Sequence, residues 1–117
     1  MRGTEVYYDP DRPFAAQSRR LAQNIQSNLL QALSASGYNS GDRGVKTDRS
    51  ALGGGHYFLL GPQNRWIARP STMPAVIGEA LFLSNPGEAD RLRRPETIDA
   101  LAIGYAAGIA QYLAASQ

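Results

Sequence analysis

Pro74-Ala75-Val76-Ile77-Gly78-Glu79-Ala80-Leu81-Phe82-Leu83-Ser84-Asn85-Pro86-Gly87-Glu88-Ala89 is the stretch on which the fold turns. Its first ten residues are almost continuously apolar, which predicts a strand buried on both faces. The next few residues stop that strand and open a helix. Asn85 can serve as the N-cap, Pro86 suits the first helical position, and Glu88 stands at the third position of a capping box. The helix is predicted to reach about Leu92.

One acid, Glu79, sits in the middle of the apolar run. A carboxylate there is costly to bury unless it is paired, coordinated or used in chemistry. Burial raises its pKa toward the range of a general base. The alternative is that Glu79 lies at the strand's end, or pairs with an arginine such as Arg43 or Arg69. Buried acids are perturbed at catalytic and at structural sites alike, so the residue by itself leaves both readings open.

Upstream, Gly3 to Tyr8 is rich in β-formers and alternates as a strand does. Asp9-Pro10-Asp11-Arg12-Pro13 then reads as a turn. A helix is predicted from Phe14 or Ser18 to Ser36, with Leu21, Ile25, Leu29 and Ala32/Leu33 on one stripe and Gly37 as its stop. Gly44-Val45-Lys46 reads as the start of a short strand. His56 to Leu60 reads as a further apolar strand after the break at Gly53-Gly54-Gly55. The last helix is predicted from Pro95 to about Ala114, with Ile98, Leu101/Ala102, Tyr105, Ile109 and Tyr112/Leu113 as its core stripe. Gly104 and Gly108 share one face and leave room for a second backbone. Helices and strands alternate, so the fold class is α/β, a mixed or parallel sheet with flanking helices.

The chain has 117 residues, the size of one domain. It has no cysteine and a single histidine, His56, which excludes disulfides, thiolate zinc sites and any site built from several histidines. His56 after three glycines suits either a ligand or general base at a loop, or a half-exposed residue at a strand end. A lone histidine is a weak metal signal. The glycines lack the Gly-Lys-Ser/Thr ending of a phosphate loop and read as a turn. Trp66 lies in a polar stretch, either exposed for ligand contact or buried. The net charge of +2 comes from 11 arginines and Lys46 scattered among 10 acids, so nucleic acid is not an expected partner. No run of about 18 apolar residues is present, so no membrane span is expected. The first residues lack the apolar core of a signal peptide.

Taken in order, these pieces resemble the zinc-dependent N-acetylmuramoyl-L-alanine amidases. The resemblance is carried by Gly3-Thr4-Glu5-Val6-Tyr7-Tyr8, by Ser18-Arg19-Arg20-Leu21-Ala22 and by Asp42-Arg43-Gly44-Val45-Lys46. It continues through Pro74-Ala75-Val76, Glu79, Phe82-Leu83-Ser84-Asn85 and Glu88-Ala89, and ends with Ala102-Ile103, Gly108-Ile109 and Tyr112-Leu113. Each piece is short, but together they cover nearly the whole chain in the family's order.

The resemblance implies a phosphorylase/hydrolase-like amidase domain that cleaves the amide between N-acetylmuramic acid and L-alanine in peptidoglycan. It implies an extracytoplasmic setting, at the cell wall or in the periplasm. The family's zinc polarises the carbonyl and activates a water, and the role of general base, then proton donor to the leaving amine, carries over to Glu79. The family's zinc ligands are two histidines and a glutamate that precede the Gly-Thr-Glu-Val-Tyr-Tyr strand, and this sequence does not contain them. The expectation is therefore a single domain, 1–117, corresponding to the C-terminal portion of the catalytic domain. No zinc is expected to bind this chain alone, and sheet edges and an apolar face are expected to be uncovered. The zinc-ligand half would lie on an upstream or separate segment, and the isolated chain would be inactive. The alternatives are a non-catalytic peptidoglycan-binding or regulatory module, and a remnant without function.

Overall fold

The computed structural model describes residues 1–115. Strand β1 (Thr4–Tyr8) is followed by helix α1 (Ala15–Ala35), strand β2 (Asp42–Thr47) and a one-turn helix α2 (Asp48–Ala51). After a long loop come strand β3 (Ile77–Glu79), helix α3 (Pro86–Arg91) and helix α4 (Pro95–Ala115). The sheet order is β2-β1-β3. β1 and β2 are parallel, as their connection through α1 requires, and β3 is antiparallel to β1. The sheet is therefore mixed, with helices packed on it.

Side chains alternate across β1, and this divides the molecule. Val6 points to one face, where it forms the core with Ala22, Ile25 and Leu29 of α1. Val45, Val76, Ala80, Leu101 and Tyr105 pack around that cluster. Glu5 and Tyr7 point to the other face. α1 runs almost where its periodicity put it, and Gly37 stops it at a φ of +96°, a conformation that favours glycine.

α4 packs on α1 through its smallest residues. Thr97, Ala100, Gly104 and Gly108 are its buried positions. A Cβ on Gly104 would stand 2.9 Å from Leu29 Cα, and one on Gly108 would stand 2.7 Å from Ile25 Cα. The two glycines thus bring the helix backbones together. This corrects the expected stripe of large residues: Ile98, Ile109 and Leu113 are exposed, and Leu101, Tyr105 and Tyr112 are no more than half-buried. The physical reason is distance, since close backbone approach leaves no volume between the helices for large side chains. By length and composition α4 could cross a membrane, a property the expected absence of a span had not allowed for. In this fold its glycine face is occupied by α1.

Two predicted strands are also corrected. His56 to Leu60 forms no strand: the first two residues are irregular and Phe58 to Leu60 form a turn, with Phe58 and Leu59 exposed and only Leu60 buried. The run from Pro74 to Leu83 contributes just three residues of strand, and they are half-buried. An apolar run cannot distinguish a strand from a loop that buries some of its apolar side chains, and here the loop buries Leu60 and Ile67. Both outer strands lack a further neighbour among the described residues.

The Asn85 cap holds, accepting from the Glu88 amide at 3.1 Å. Glu88 does not complete a capping box. Its buried carboxylate accepts from the Gly3 amide (3.0 and 3.1 Å), the Phe82 amide (3.0 Å) and the Tyr38 hydroxyl (2.5 Å). It ties α3 to the start of β1 and to the loop after α1.

Candidate active site

Glu79 ends β3 and faces Glu5 across the antiparallel pair. The two carboxyls differ in their partners. Glu5 accepts from Lys46 Nζ at 2.6 Å, from Arg43 Nε at 2.8 Å and from the Tyr7 hydroxyl at 2.6 Å. Burial alone would raise its pKa, but these donors outweigh burial and hold the carboxyl down to about 2. Glu5 is thus a fixed negative charge. Glu79 has no salt bridge among the described residues, so neither Arg43 nor Arg69 pairs with it. Its pKa is raised, first by burial and then by the negative charge of Glu5, against the pull of Lys46. The same pair of acids, after burial, pushes up the hydroxyls of Tyr7 and Tyr57.

Parallel β1 and β2 place Glu5, Tyr7 and Lys46 on one polar face. Tyr57 from the long loop covers it, edge-on to Tyr7 with ring centroids 5.7 Å apart. Arg43 also lies over the Phe82 ring, 5.2 Å from its centroid, next to the β3 end. This arrangement can hold one carboxyl ionised and leave a second, across the strand pair, poised to take up a proton. A carboxyl with a raised pKa that is free of a cationic partner has the properties of a general base.

The second polar centre lies at the opposite end of β1. Asp9 follows the strand, four residues or about 13 Å along from Glu5. Asp48 opens α2 after the parallel strand β2, and the loop returns His56 to both. His56 Nδ1 bonds to Asp9 Oδ2 and lies 3.7 Å from Asp48 Oδ2. Asp48 is buried, accepts from the Tyr57 amide at 3.1 Å, and has its Oδ1 without a hydrogen-bond partner. Burial first, then Asp9, raises its pKa to about 6. His56 is therefore no strand-end residue. The sequence reading missed Asp9, Asp48 and Glu5. The period-two alternation Glu5, Tyr7, Asp9 could have placed Glu5 and Asp9 on one face, but pairing with β2 was needed to bring in Lys46 and Asp48.

The donors around Glu79 do not fit zinc. Glu5 is already satisfied by two cations and a hydroxyl, and the chain's only histidine is at the other end of the strand. Trp66 is exposed, with Arg65 stacked 4.5 Å over its ring.

Comparison with known proteins bears on the family and the fold. A family model described as N-acetylmuramoyl-L-alanine amidase matches residues 1–111. An uncharacterised cell wall amidase of Bacillus anthracis is 31% identical over 115 residues, covering 94% of this chain and 18% of that protein. The N-acetylmuramoyl-L-alanine amidase LytC of Bacillus subtilis is 34% identical over 92 residues, covering 79% of this chain and 14% of that protein. The crystal structure of an N-acetylmuramoyl-L-alanine amidase from Clostridium difficile superposes with a TM-score of 0.72 at 26% identity, over 100% of this chain and 51% of that one. The chain spans about half of that structure and less of the two Bacillus proteins.

Proposed function

This chain belongs to the N-acetylmuramoyl-L-alanine amidase family, and from that premise we propose that it serves in cleavage of the amide between N-acetylmuramic acid and L-alanine in peptidoglycan, with Glu79 as the general base. The observation that carries the proposal is the contrast between Glu5 and Glu79. The ionised Glu5 raises the proton affinity of Glu79, and no cation among the described residues neutralises Glu79 in turn. A base of this kind takes a proton from the attacking water and returns it to the departing amine of L-alanine. Half-burial at a strand end leaves the carboxyl within reach of substrate.

Zinc, when bound in this family, polarises the scissile carbonyl and the attacking water. The residues around Glu79 in this chain do not supply its ligands, so the chemistry proposed for this chain is proton transfer by Glu79. It follows that the chain by itself is inactive and works together with a segment that carries the family's ligands. The proposed setting is extracytoplasmic, at the cell wall. The description of the Bacillus anthracis relative as a cell wall amidase supports this.

Dye-labelled peptidoglycan provides the test. The chain alone, with added zinc, releases no dye. Fused behind the ligand-bearing half of a relative, it releases dye, and Glu79→Gln lowers that rate by about 100-fold or more, the range of a lost general base. Lysis by the chain alone would refute the need for a ligand-bearing segment. An active Glu79→Gln fusion would refute the role of Glu79.

A further inference from the structure

We propose that Asp9, Asp48 and His56 form a binding site for one divalent transition-metal ion, a site that pins the long loop between α2 and β3 to the ends of β1 and β2. The three side chains each offer one ligand atom, and these atoms lie within 4.8 Å of one another. Asp9 and Asp48 are fully buried and His56 is 17% exposed, so the site is closed on the protein side and open through the imidazole edge.

Charge is the first argument. Two buried carboxylates stand together, and no lysine or arginine among the described residues pairs with either. Arg49, the nearest candidate in sequence, is engaged by Asp11 at 3.2 Å. Arg12 spends its guanidinium on the carbonyls of Leu60, Gly61 and Ser71. Buried charges of one sign need a counter-charge, and a neutral or singly charged imidazole supplies at most half of it. The second argument is independent of charge. Asp48 Oδ1 is fully buried and accepts no hydrogen bond from the described residues, and buried polar atoms in native structures rarely go without a partner, an ion or a water.

The donor set then selects the ion. One imidazole nitrogen with two carboxylate oxygens suits Zn²⁺ or Mn²⁺ better than Ca²⁺ or Mg²⁺, which favour all-oxygen sites. Three protein ligands leave a position open to water. The neighbouring groups already hold the ligands in place: the Asp11 amide donates to Asp9 Oδ1 at 2.7 Å, and the Tyr57 amide donates to Asp48 Oδ2. The site lies at the opposite end of β1 from Glu79 and stands or falls independently of the catalytic proposal.

The experiment is titration of the metal-free chain with ZnCl₂ and with MnCl₂, read by calorimetry and by the thermal midpoint. The expected result is one ion per chain, a rise in midpoint, and an affinity lowered at least about 100-fold in His56→Gln and in Asp48→Asn. Glu96→Gln, on the exposed surface, binds as the parent does. Limited proteolysis within residues 52–73 slows when Zn²⁺ is added to the parent but not to His56→Gln, and circular dichroism confirms that both variants are folded. Absence of stoichiometric binding, or equal binding by the parent and both variants, overturns the proposal.

Discussion

Glu5 and Glu79 face each other across the antiparallel β1–β3 pair, yet Lys46, Arg43 and Tyr7 all attend to Glu5. Like-charged residues directly opposite on paired strands repel. The protein resolves the conflict by pairing the ionised Glu5 with cations and leaving Glu79 to bind a proton more readily. Replacing Glu5 by Gln removes the repulsion and leaves Lys46 without its carboxylate partner. The Glu79 pKa then falls, a shift that a carboxyl-resolved NMR titration measures directly. A Glu79 pKa that stays in place would show that burial alone sets it.

Acid weakens the fold through Glu5. Its carboxyl is held at about 2 when folded against an ordinary value of 4.5. A group with a depressed folded pKa contributes stability above its unfolded pKa and loses it as the pH falls toward the folded one. The contribution, on the order of 3 kcal/mol, is complete near pH 7 and disappears between about pH 4.5 and 2. Glu79 acts with the opposite sign, because its raised pKa favours the folded state as it protonates. Urea midpoints across this range, compared with and without Glu5→Gln in a Glu79→Gln background, isolate the Glu5 effect, and identical profiles would contradict it.

The contact of α4 with α1 depends on Gly108. A Cβ at 2.7 Å from Ile25 Cα has backbone as its obstacle, so the helices must separate. Gly108→Ala is expected to lower stability by about 1–3 kcal/mol, despite the better helix propensity of alanine. Ile103→Ala, on the exposed side of α4, stays within about 0.5 kcal/mol of the parent. Thermal denaturation of the two variants reads the difference.

Glu88 is a further structural liability. Its carboxylate satisfies the amides of Gly3 and Phe82 and the Tyr38 hydroxyl, all donors. Glu88→Gln turns one acceptor into a donor that meets other donors, at about 1–3 kcal/mol for each group left unsatisfied. Hydrogen exchange at the Gly3 and Phe82 amides is expected to accelerate selectively, ahead of the amides of α1.

Arg12 straps the long loop by donating to three of its carbonyls. Arg12→Ala leaves those carbonyls without their donor. Faster cleavage by trypsin after Arg65 is the expected consequence, with α1 and α4 still protected.

Local signals in the sequence were sufficient for the two long helices, the β1 strand, the Asn85 cap and the place of Glu79 as the one acid in an apolar run. These depend on periodicity and capping within a few residues, and the chain carries them wherever it folds. The amidase family was legible for the same reason, as a series of short motifs in order. The tertiary structure decided the rest. It chose the small face of α4 over the large one, because two glycines allow backbones to touch. It turned the apolar runs after His56 and Pro74 largely into loop, because only a short segment finds a pairing partner on β1. It surrounded Glu5 with donors and left Glu79 with a raised proton affinity, and it joined Asp9, Asp48 and His56. Those outcomes depend on which charges meet across strands, and residues 74 positions apart in the chain, such as Glu5 and Glu79, come together only through pairing.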